Sequence, residues 1–316
     1  MCRLTMASAA TTAGVRSAAV TGVAHRRCHV GPSTGWRPRE PGSAPLVELV
    51  LPALNSSWAM ELMRGVVDSG LDVVMSSPAG RGPSPVTGLV EARRAGVLLV
   101  LCPLDPAERR VFARARMPVV LIDPVDVADP ALPSVAAANR EGGVMAAKHL
   151  LSLGHRRVGV VGGPRDVLCS TARLDGFRAA LARAGAGPDA ALVRHADFTR
   201  EGGYREAREL LASPRRPTAV FAANDEQALG VIDAARAAGL SVPGDLSVIG
   251  FDDLPAAGRS SPALSTVRQP LGEMGRRAGW LLGDLIEGRE PAVGRVELAT
   301  ELVVRSSTGP VVTRRS

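Results

Sequence analysis

The sequence predicts an α/β protein built on parallel sheets that carry helices on both faces. Short apolar runs rich in Val, Ile and Leu recur from residue 46 onward, and segments long enough for helices separate them. These runs lack the polar alternation of half-exposed strands, as expected for strands buried on both faces. Regular alternation of strand and helix is typical of βαβ units in a parallel sheet.

Eight apolar runs mark the expected strands in chain order. They cover residues 46–51, 71–75, 97–102, 118–122, 157–161, 191–195, 218–222 and 246–251. Among the helical segments, residues 172–184 place Leu174, Phe177 and Leu181 on one apolar stripe. Gly185 follows this segment, and glycine there is typical of a helix C-terminus.

Two further helices have predicted boundaries. Asp225 is the predicted N-cap of a helix that ends before Gly239. Asn139 is the predicted N-cap of a helix that runs towards Leu153 and ends at Gly154.

Polar residues follow five of the predicted strands. These residues are Asn55, Asp123, Asp197, Asn224 and Asp252. The carboxyl ends of strands in an open α/β sheet line the ligand crevice, so amides and carboxylates there predict a pocket for a polar ligand. The alternative is that each residue only caps the next helix or starts a turn.

The charge of the chain is concentrated at its N-terminus. The 316 residues carry a formal net charge of +7, and all basic residues except Lys148 are arginines. Residues 1–44 hold six arginines against Glu40, a net charge of +5, which leaves +2 for the rest. The sequence pI near 10.3 therefore points to nucleic acid only for the first 44 residues.

Several classes of protein and site are excluded by what the sequence lacks. No apolar stretch is long enough to span a bilayer, and no compact signal-peptide core is visible. The cysteines, Cys2, Cys28, Cys102 and Cys169, form no metal or disulfide pattern. Nucleophile-elbow, phosphate-loop and zinc-protease motifs are missing. We therefore expect a cytoplasmic protein that is not an enzyme and uses no cofactor and no metal.

Several phrases after residue 138 follow one another in a recognisable order. They read NREGG (139–143), HLLSLGHRRV (149–158), VGGP (161–164), GFRAAL (176–181), FAANDEQALG (221–230), VPGDLSVIGFDD (242–253) and LSTVRQP (264–270). With these phrases, and with Ser170 and Arg173, residues 46–308 resemble the lactose/galactose-repressor (LacI/GalR) family of bacterial transcriptional regulators.

The resemblance implies a periplasmic-binding-protein-like fold of type I, with two doubly wound parallel-sheet subdomains joined by three crossovers. The implied core is 45–308, with a first subdomain of about 45–137 and 267–292 and a second of about 138–266 and 293–306. Residues 1–44 precede it as a degenerate helix-turn-helix and linker, and 309–316 form a tail.

The predicted effector site draws on the resemblance and on the strand ends. Its residues are Asn55, Trp58, Asp123, Arg173, Asn224 and Asp252. A small sugar is the predicted ligand, because an indole can stack on a pyranose face while carboxylates and a guanidinium bind its hydroxyls. Two alternatives remain open: Trp58 as a core residue of the first helix, and Arg173 as a structural ion-pair partner.

Residues 1–44 resemble the family's helix-turn-helix but are incomplete. The segment RSAAVTGV (16–23) aligns with the recognition helix, and the predicted DNA-binding residues are Arg16, Ser17, Ala19, Thr21 and Arg26. The residues expected for a third helix are absent between Thr34 and Gly35. Two interpretations follow: a divergent head that still binds DNA, or a head that no longer docks in a major groove.

The function implied is that of a homodimeric repressor whose sugar effector allosterically controls binding to operator DNA. Two alternatives stand beside it. One is an effector-binding core that has lost specific DNA binding. The other is a solute-binding protein of the same fold, which would need a secretion signal.

Overall fold

The computed structural model describes residues 44–54, 56–77, 85–125, 132–187, 189–291 and 293–312. The predicted DNA-binding residues and one predicted effector residue lie outside these ranges; they are Arg16, Ser17, Ala19, Thr21, Arg26 and Asn55. Both sheets of the described part belong to one compact unit of the chain.

The described residues form twelve strands and nine α-helices. The strands are β1 (Leu46–Val50), β2 (Asp72–Ser76), β3 (Val97–Val100), β4 (Val119–Ile122), β5 (Ser134–Ala137), β6 (Val158–Gly162), β7 (Val193–His195), β8 (Ala219–Ala222), β9 (Ser247–Ile249), β10 (Thr266–Arg268), β11 (Arg295–Leu298) and β12 (Glu301–Val303). The helices are α1 (Ser57–Asp68), α2 (Pro85–Glu91), α3 (Pro106–Ala115), α4 (Asn139–Ser152), α5 (Leu168–Arg183), α6 (Arg200–Leu211), α7 (Asp225–Ala237), α8 (Pro255–Arg259) and α9 (Leu271–Ile286).

The first sheet has six strands in the order β11-β5-β4-β3-β1-β2, and every pair is parallel. Its central strands β3 and β4 are buried along their whole length, as their unbroken apolar sequences predict. One face packs on α1 and α9 through residues such as Leu62 and Met274. The other face packs on α2 and α3 through residues such as Leu89 and Phe112.

The second sheet has four parallel strands in the order β7-β6-β8-β9. Helices α4 and α5 cover one face, where the rings of Phe177 and Phe221 stack with centroids 4.5 Å apart. Helices α6 and α7 cover the other face through residues such as Leu210 and Val231. A separate antiparallel pair joins β10 to β12.

All eight predicted strands are present within two residues of their expected bounds. The predicted helix 172–184 is also present, and it begins four residues earlier as α5. Gly154, Gly185 and Gly239 end their helices with positive φ angles of 89°, 65° and 71°, which confirms them as C-terminal stops.

Both predicted N-caps are wrong by one residue. Asn224, not Asp225, caps α7, and its side chain accepts a hydrogen bond from the backbone N–H of Gln227. Ala138 precedes α4 without a side-chain cap, and Asn139 is the first residue of that helix. In both cases the predicted residue turns its side chain inward to buried polar partners instead.

One expected subdomain boundary is wrong at β11. The resemblance placed residues 293–306 in the second subdomain, but β11 pairs with β5 and extends the first sheet. The described end of the expected tail is docked rather than separate, since the Val311 N–H donates to the carbonyl of Leu153. Among the described residues, no helix has the length and apolar character needed to cross a bilayer.

Candidate functional site

A cavity of about 520 Å³ lies at the carboxyl ends of strands from both sheets. The first sheet contributes the segments that follow β1, β3 and β4, and the second contributes those that follow β7, β8 and β9, together with α5. Its volume is within the range of about 300–1,000 Å³ that is usual for small-molecule sites. The cavity therefore stands where the strand-end argument places a ligand.

The structure brings five of the six predicted effector residues to this one cavity. They are Trp58, Asp123, Arg173, Asn224 and Asp252. Asn55 lies outside the described residues. Asp197, the remaining strand-end residue, does not line the cavity, and its carboxylate accepts a hydrogen bond from the Thr199 hydroxyl at 2.9 Å.

Arg173 lies at the base of the cavity and is 3% exposed. Its Nε donates to Asn139 Oδ1 at 2.8 Å, and its Nη1 donates to the carbonyl of Ala223 at 2.6 Å. The guanidinium also lies 3.9 Å above the ring of Phe251 and forms an ion pair with Asp252 at 3.4 Å. Arg173 therefore forms a structural ion pair, as the alternative predicted, and also lines the cavity. Its Nη2 makes no hydrogen bond to the described residues, so two N–H donors stay available.

Close packing of α4 on α5 fixes the position of Arg173. A Cβ atom at Gly143 would overlap the carbonyl oxygen of Arg173, and one at Gly176 would overlap the carbonyl oxygen of Arg140. Only glycine allows the two helix backbones to approach this closely. The two glycines therefore help to set how far Arg173 reaches into the cavity.

Asp252 follows β9 in a strained backbone conformation, with φ at 116°. The fold holds it there, because its N–H donates to Val267 O and Gln269 Nε2 donates to its carboxylate at 2.6 Å. Burial, with smaller contributions from the charges of Asp123 and Glu226, raises the pKa of Asp252 to about 6, although Arg173 and the hydrogen bond from Gln269 oppose the shift.

Asp123 follows β4, also with positive φ (45°), and is 2% exposed. Its Oδ1 accepts long hydrogen bonds of 3.4 Å from the Ala137 N–H and from Asn139 Nδ2. Its Oδ2 is buried and has no partner among the described residues. Burial raises the pKa of this carboxyl, and the charge of Arg173 opposes the shift. An unsatisfied buried acceptor at a cavity wall is suited to a ligand donor.

Asn224 lines the cavity and makes two structural hydrogen bonds. Its Oδ1 caps α7 at 2.9 Å from the Gln227 N–H, and its Nδ2 donates to the carbonyl of Phe198 at 3.1 Å. The capping alternative therefore applies to this residue. An amide offers two donors and two lone pairs, so one of each is left for a ligand.

Trp58 lies in the first turn of α1, which begins after the N-cap Ser56. The Ser56 hydroxyl accepts a hydrogen bond from the Ala59 N–H at 3.1 Å. The half-buried indole packs against the core beneath α1 and also lines the cavity. The core alternative for Trp58 is therefore confirmed, and its stacking on a ligand stays a prediction.

Comparison with known proteins places the chain in a family. A family model described as a periplasmic binding protein-like domain matches residues 147–308. The HTH-type transcriptional repressor CytR of Escherichia coli K12 is 30% identical over 266 residues, which cover 82% of this chain and 78% of CytR. The chain belongs to the LacI family of transcriptional regulators.

Solved structures agree with this family and confirm the predicted periplasmic-binding-protein-like fold with parallel sheets in two subdomains. A complex of the transcriptional regulator CelR with cellobiose superposes with a TM-score of 0.76 and 32% identity, over 83% of this chain and 84% of that one. A LacI-family regulator from Enterococcus faecium with bound ribose superposes with a TM-score of 0.77 and 26% identity, over 84% of this chain and 100% of that one. These relatives are transcriptional regulators rather than enzymes.

Several residues of this LacI-family cavity were missed from the sequence. They are Phe198, Thr199, Arg200 and Glu201 before and within the first turn of α6, and Glu226 in α7. The contact of Asn139 with Arg173 was also missed, although Asn139 does not line this cavity. Phe198 directly follows Asp197, so the predicted strand end lies at the cavity, but the aromatic residue lines it and the carboxylate does not. Asn139 stands in the NREGG phrase, where we assigned it only a capping role.

Proposed function

We propose that the chain is an effector-responsive transcriptional repressor whose cavity binds a small saccharide. The observation that carries this proposal is the convergence of Trp58, Asp123, Arg173 and Asp252 on one cavity between the two sheets. The sugars in the CelR and E. faecium structures support a saccharide here by analogy.

The chemistry of the lining residues suits a polyhydroxylated ligand. Arg173 Nη2 offers donors, while the unpartnered Oδ2 of Asp123 accepts. A sugar hydroxyl is both donor and acceptor, so neighbouring hydroxyls can satisfy both groups at once. Trp58 supplies an apolar surface for a sugar ring.

Ligand binding between the subdomains supports an allosteric mechanism. A saccharide that touches both sheets stabilises one relative placement of the subdomains, and it changes DNA affinity only through its differential binding to the two states. We infer a homodimer that works in the cytoplasm on operator DNA, reads it with the segment containing Arg16, Ser17, Ala19, Thr21 and Arg26, and catalyses no reaction.

The saccharide part is tested by thermal unfolding of the intact chain with a panel of mono- and disaccharides. At least one sugar is expected to raise the melting temperature of wild type, and Arg173→Ala and Asp252→Ala are expected to abolish that shift. Trp58→Ala serves as a second variant that leaves the buried ion pair intact. Arg183→Ala, on the exposed part of α5, is the matched control and keeps the full shift. Equal shifts in wild type and all variants would refute the site.

The DNA part is tested by a mobility-shift assay on the region upstream of the gene. Arg16→Ala and Arg26→Ala are expected to weaken binding to this DNA more than binding to unrelated DNA, while Arg110→Ala on exposed α3 has no effect. The result that contradicts this is identical weak, salt-sensitive retardation of both DNAs by all proteins. It would show that the chain contacts phosphates non-specifically and no longer recognises an operator.

A further inference from the structure

The effector cavity carries more negative than positive side chains. Its charged lining residues are Asp123, Glu201, Glu226 and Asp252 against Arg173 and Arg200. With every group ionised, this leaves two surplus negative charges. The cavity is thus negative although residues 45–316 as a whole carry a net charge of +2, and its ligand has to suit these negative surroundings.

The two arginines are already engaged by other carboxylates. Arg200 Nε donates to Asp233 Oδ2 at 2.6 Å, and Asp233 is not a lining residue. Arg173 forms its ion pair with Asp252. Neither arginine forms an ion pair with Glu201 or Glu226 among the described residues, although the charges of both glutamates act on Arg200 and raise its pKa. The short contact of Arg200 is with Asp233, so the surplus of negative charge at the cavity remains.

Glu201 and Glu226 stand in the first turns of α6 and α7, on the second sheet's side of the cavity. Acidic residues are favourable in a first helical turn because of the helix dipole, which accounts for their positions in the sequence. Their carboxylates nevertheless make no hydrogen bond or ion pair with any residue that the structure describes. They remain able to accept hydrogen bonds from a ligand.

A buried carboxylate supplies an independent observation. Asp123 is 2% exposed, lines the same cavity and has an unpartnered Oδ2. The charges of Asp123 and Glu226 also repel Asp252, since both raise the pKa of its carboxyl. A positive group bound among these carboxylates would relieve that repulsion, whereas an anionic group would add to it.

We propose that the effector is a saccharide bearing a protonated amino group, which binds the carboxylates of Glu201 and Glu226 while its hydroxyls meet Arg173 and Asp123. This inference rests on the proposed function and narrows its ligand class to amino sugars. It also excludes sugar phosphates and sugar acids as effectors, because their charge would face the surplus carboxylates.

The test is titration calorimetry of the intact chain with matched disaccharides at near-neutral pH. The probes are cellobiose, the β-1,4-linked disaccharide of glucosamine, and its N,N′-diacetyl form. We expect the free amine to bind about tenfold more tightly than cellobiose or the acetylated sugar, and the preference to fall as salt is added. Glu226→Gln and Glu201→Gln are expected to remove the preference for the free amine over cellobiose.

Glu209→Gln is the matched control, since Glu209 is an exposed carboxylate on α6 that does not line the cavity. It is expected to keep the full preference. Equal binding of amine and cellobiose, or a preference that survives in both variants, would overturn the amino-sugar inference and leave the saccharide site standing. Failure of every saccharide to bind would overturn both the amino-sugar inference and the proposed saccharide site.

Discussion

Asp252 connects the ligand cavity to the segment that leads back to the first sheet. Its carboxylate accepts from Gln269, and its carbonyl accepts from the Gln269 N–H. Gln269 lies between β10 and α9, where the chain crosses to the helix that packs on the first sheet. A ligand that contacts Asp252 therefore acts one side chain away from this crossover. In the proposed function, Asp252 binds the effector and transmits its presence to this crossover.

The titration of Asp252 gives a pH prediction. Its folded pKa of about 6 exceeds the ordinary value of 3.8, so the folded protein keeps this proton where the unfolded chain has lost it. Stability from this carboxyl is full below about pH 4 and is lost as pH rises through about 6. Asp252→Asn removes the titration, and its free energy of unfolding relative to wild type should rise by up to about 3 kcal/mol over that range.

Urea denaturation of both proteins at several pH values measures this difference. Asp175→Asn, on the exposed face of α5, is the control and should track wild type throughout. A difference between Asp252→Asn and wild type that stays constant with pH would contradict the assigned titration.

Among single residues, the sequence predicted those that belong to the cavity because they stand directly after a strand. Asp123, Asn224 and Asp252 follow buried strands, and parallel strands end at one edge, so their grouping could be expected. Arg173 lies within a helix, and only the family resemblance pointed to it. Phe198 was missed because its role depends on which side chains face it across the cavity, and Asn139 because its partner Arg173 is 34 residues away in the chain. Local sequence encodes neither contact.

Helix packing around α4 and α5 depends on glycine. Gly143→Ala adds a Cβ that would overlap the carbonyl oxygen of Arg173, so the helices must separate. Although alanine favours a helix by about 1 kcal/mol, we expect a net loss of stability of about 1–3 kcal/mol from overpacking. Saccharide-induced thermal shifts should shrink as well, because Arg173 moves with α5.

Gly272→Ala in α9 is the matched control for this variant. The nearest heavy atom to its added Cβ is Arg276 Nη1 at 3.7 Å, an ordinary contact. Denaturation should show it at least as stable as wild type. If Gly143→Ala were equally stable and bound saccharide normally, the close approach of α4 and α5 would not be what positions Arg173.

The strands that the sequence missed share a physical reason. β5 (SVAA) is built from small residues, and β11 (RVEL) and β12 (ELV) carry charges at the border of the first sheet and in the small antiparallel pair. Such strands lack the continuous apolar run that marks burial on both faces. The assignment of β11 to the first sheet depends on its pairing with β5, a long-range contact that periodicity does not reveal.

At the scale of the whole molecule, two sheets present their carboxyl ends to a shared cavity. This arrangement makes ligand affinity and subdomain placement interdependent, which is the physical basis of a ligand-controlled regulator. The alternation of buried strands and helices was enough to predict the sheets and their helical cover. It was not enough to predict that β11 would join the first sheet, or that β10 and β12 would form a separate antiparallel pair.

The central claim is that the cavity between the sheets is a saccharide site. Titration calorimetry of the intact protein with a panel of mono- and disaccharides tests it most directly. We predict saturable binding of one saccharide per chain that is lost in Arg173→Ala and retained in Arg183→Ala. Absence of binding by every sugar, or the same affinity in Arg173→Ala and wild type, would contradict it.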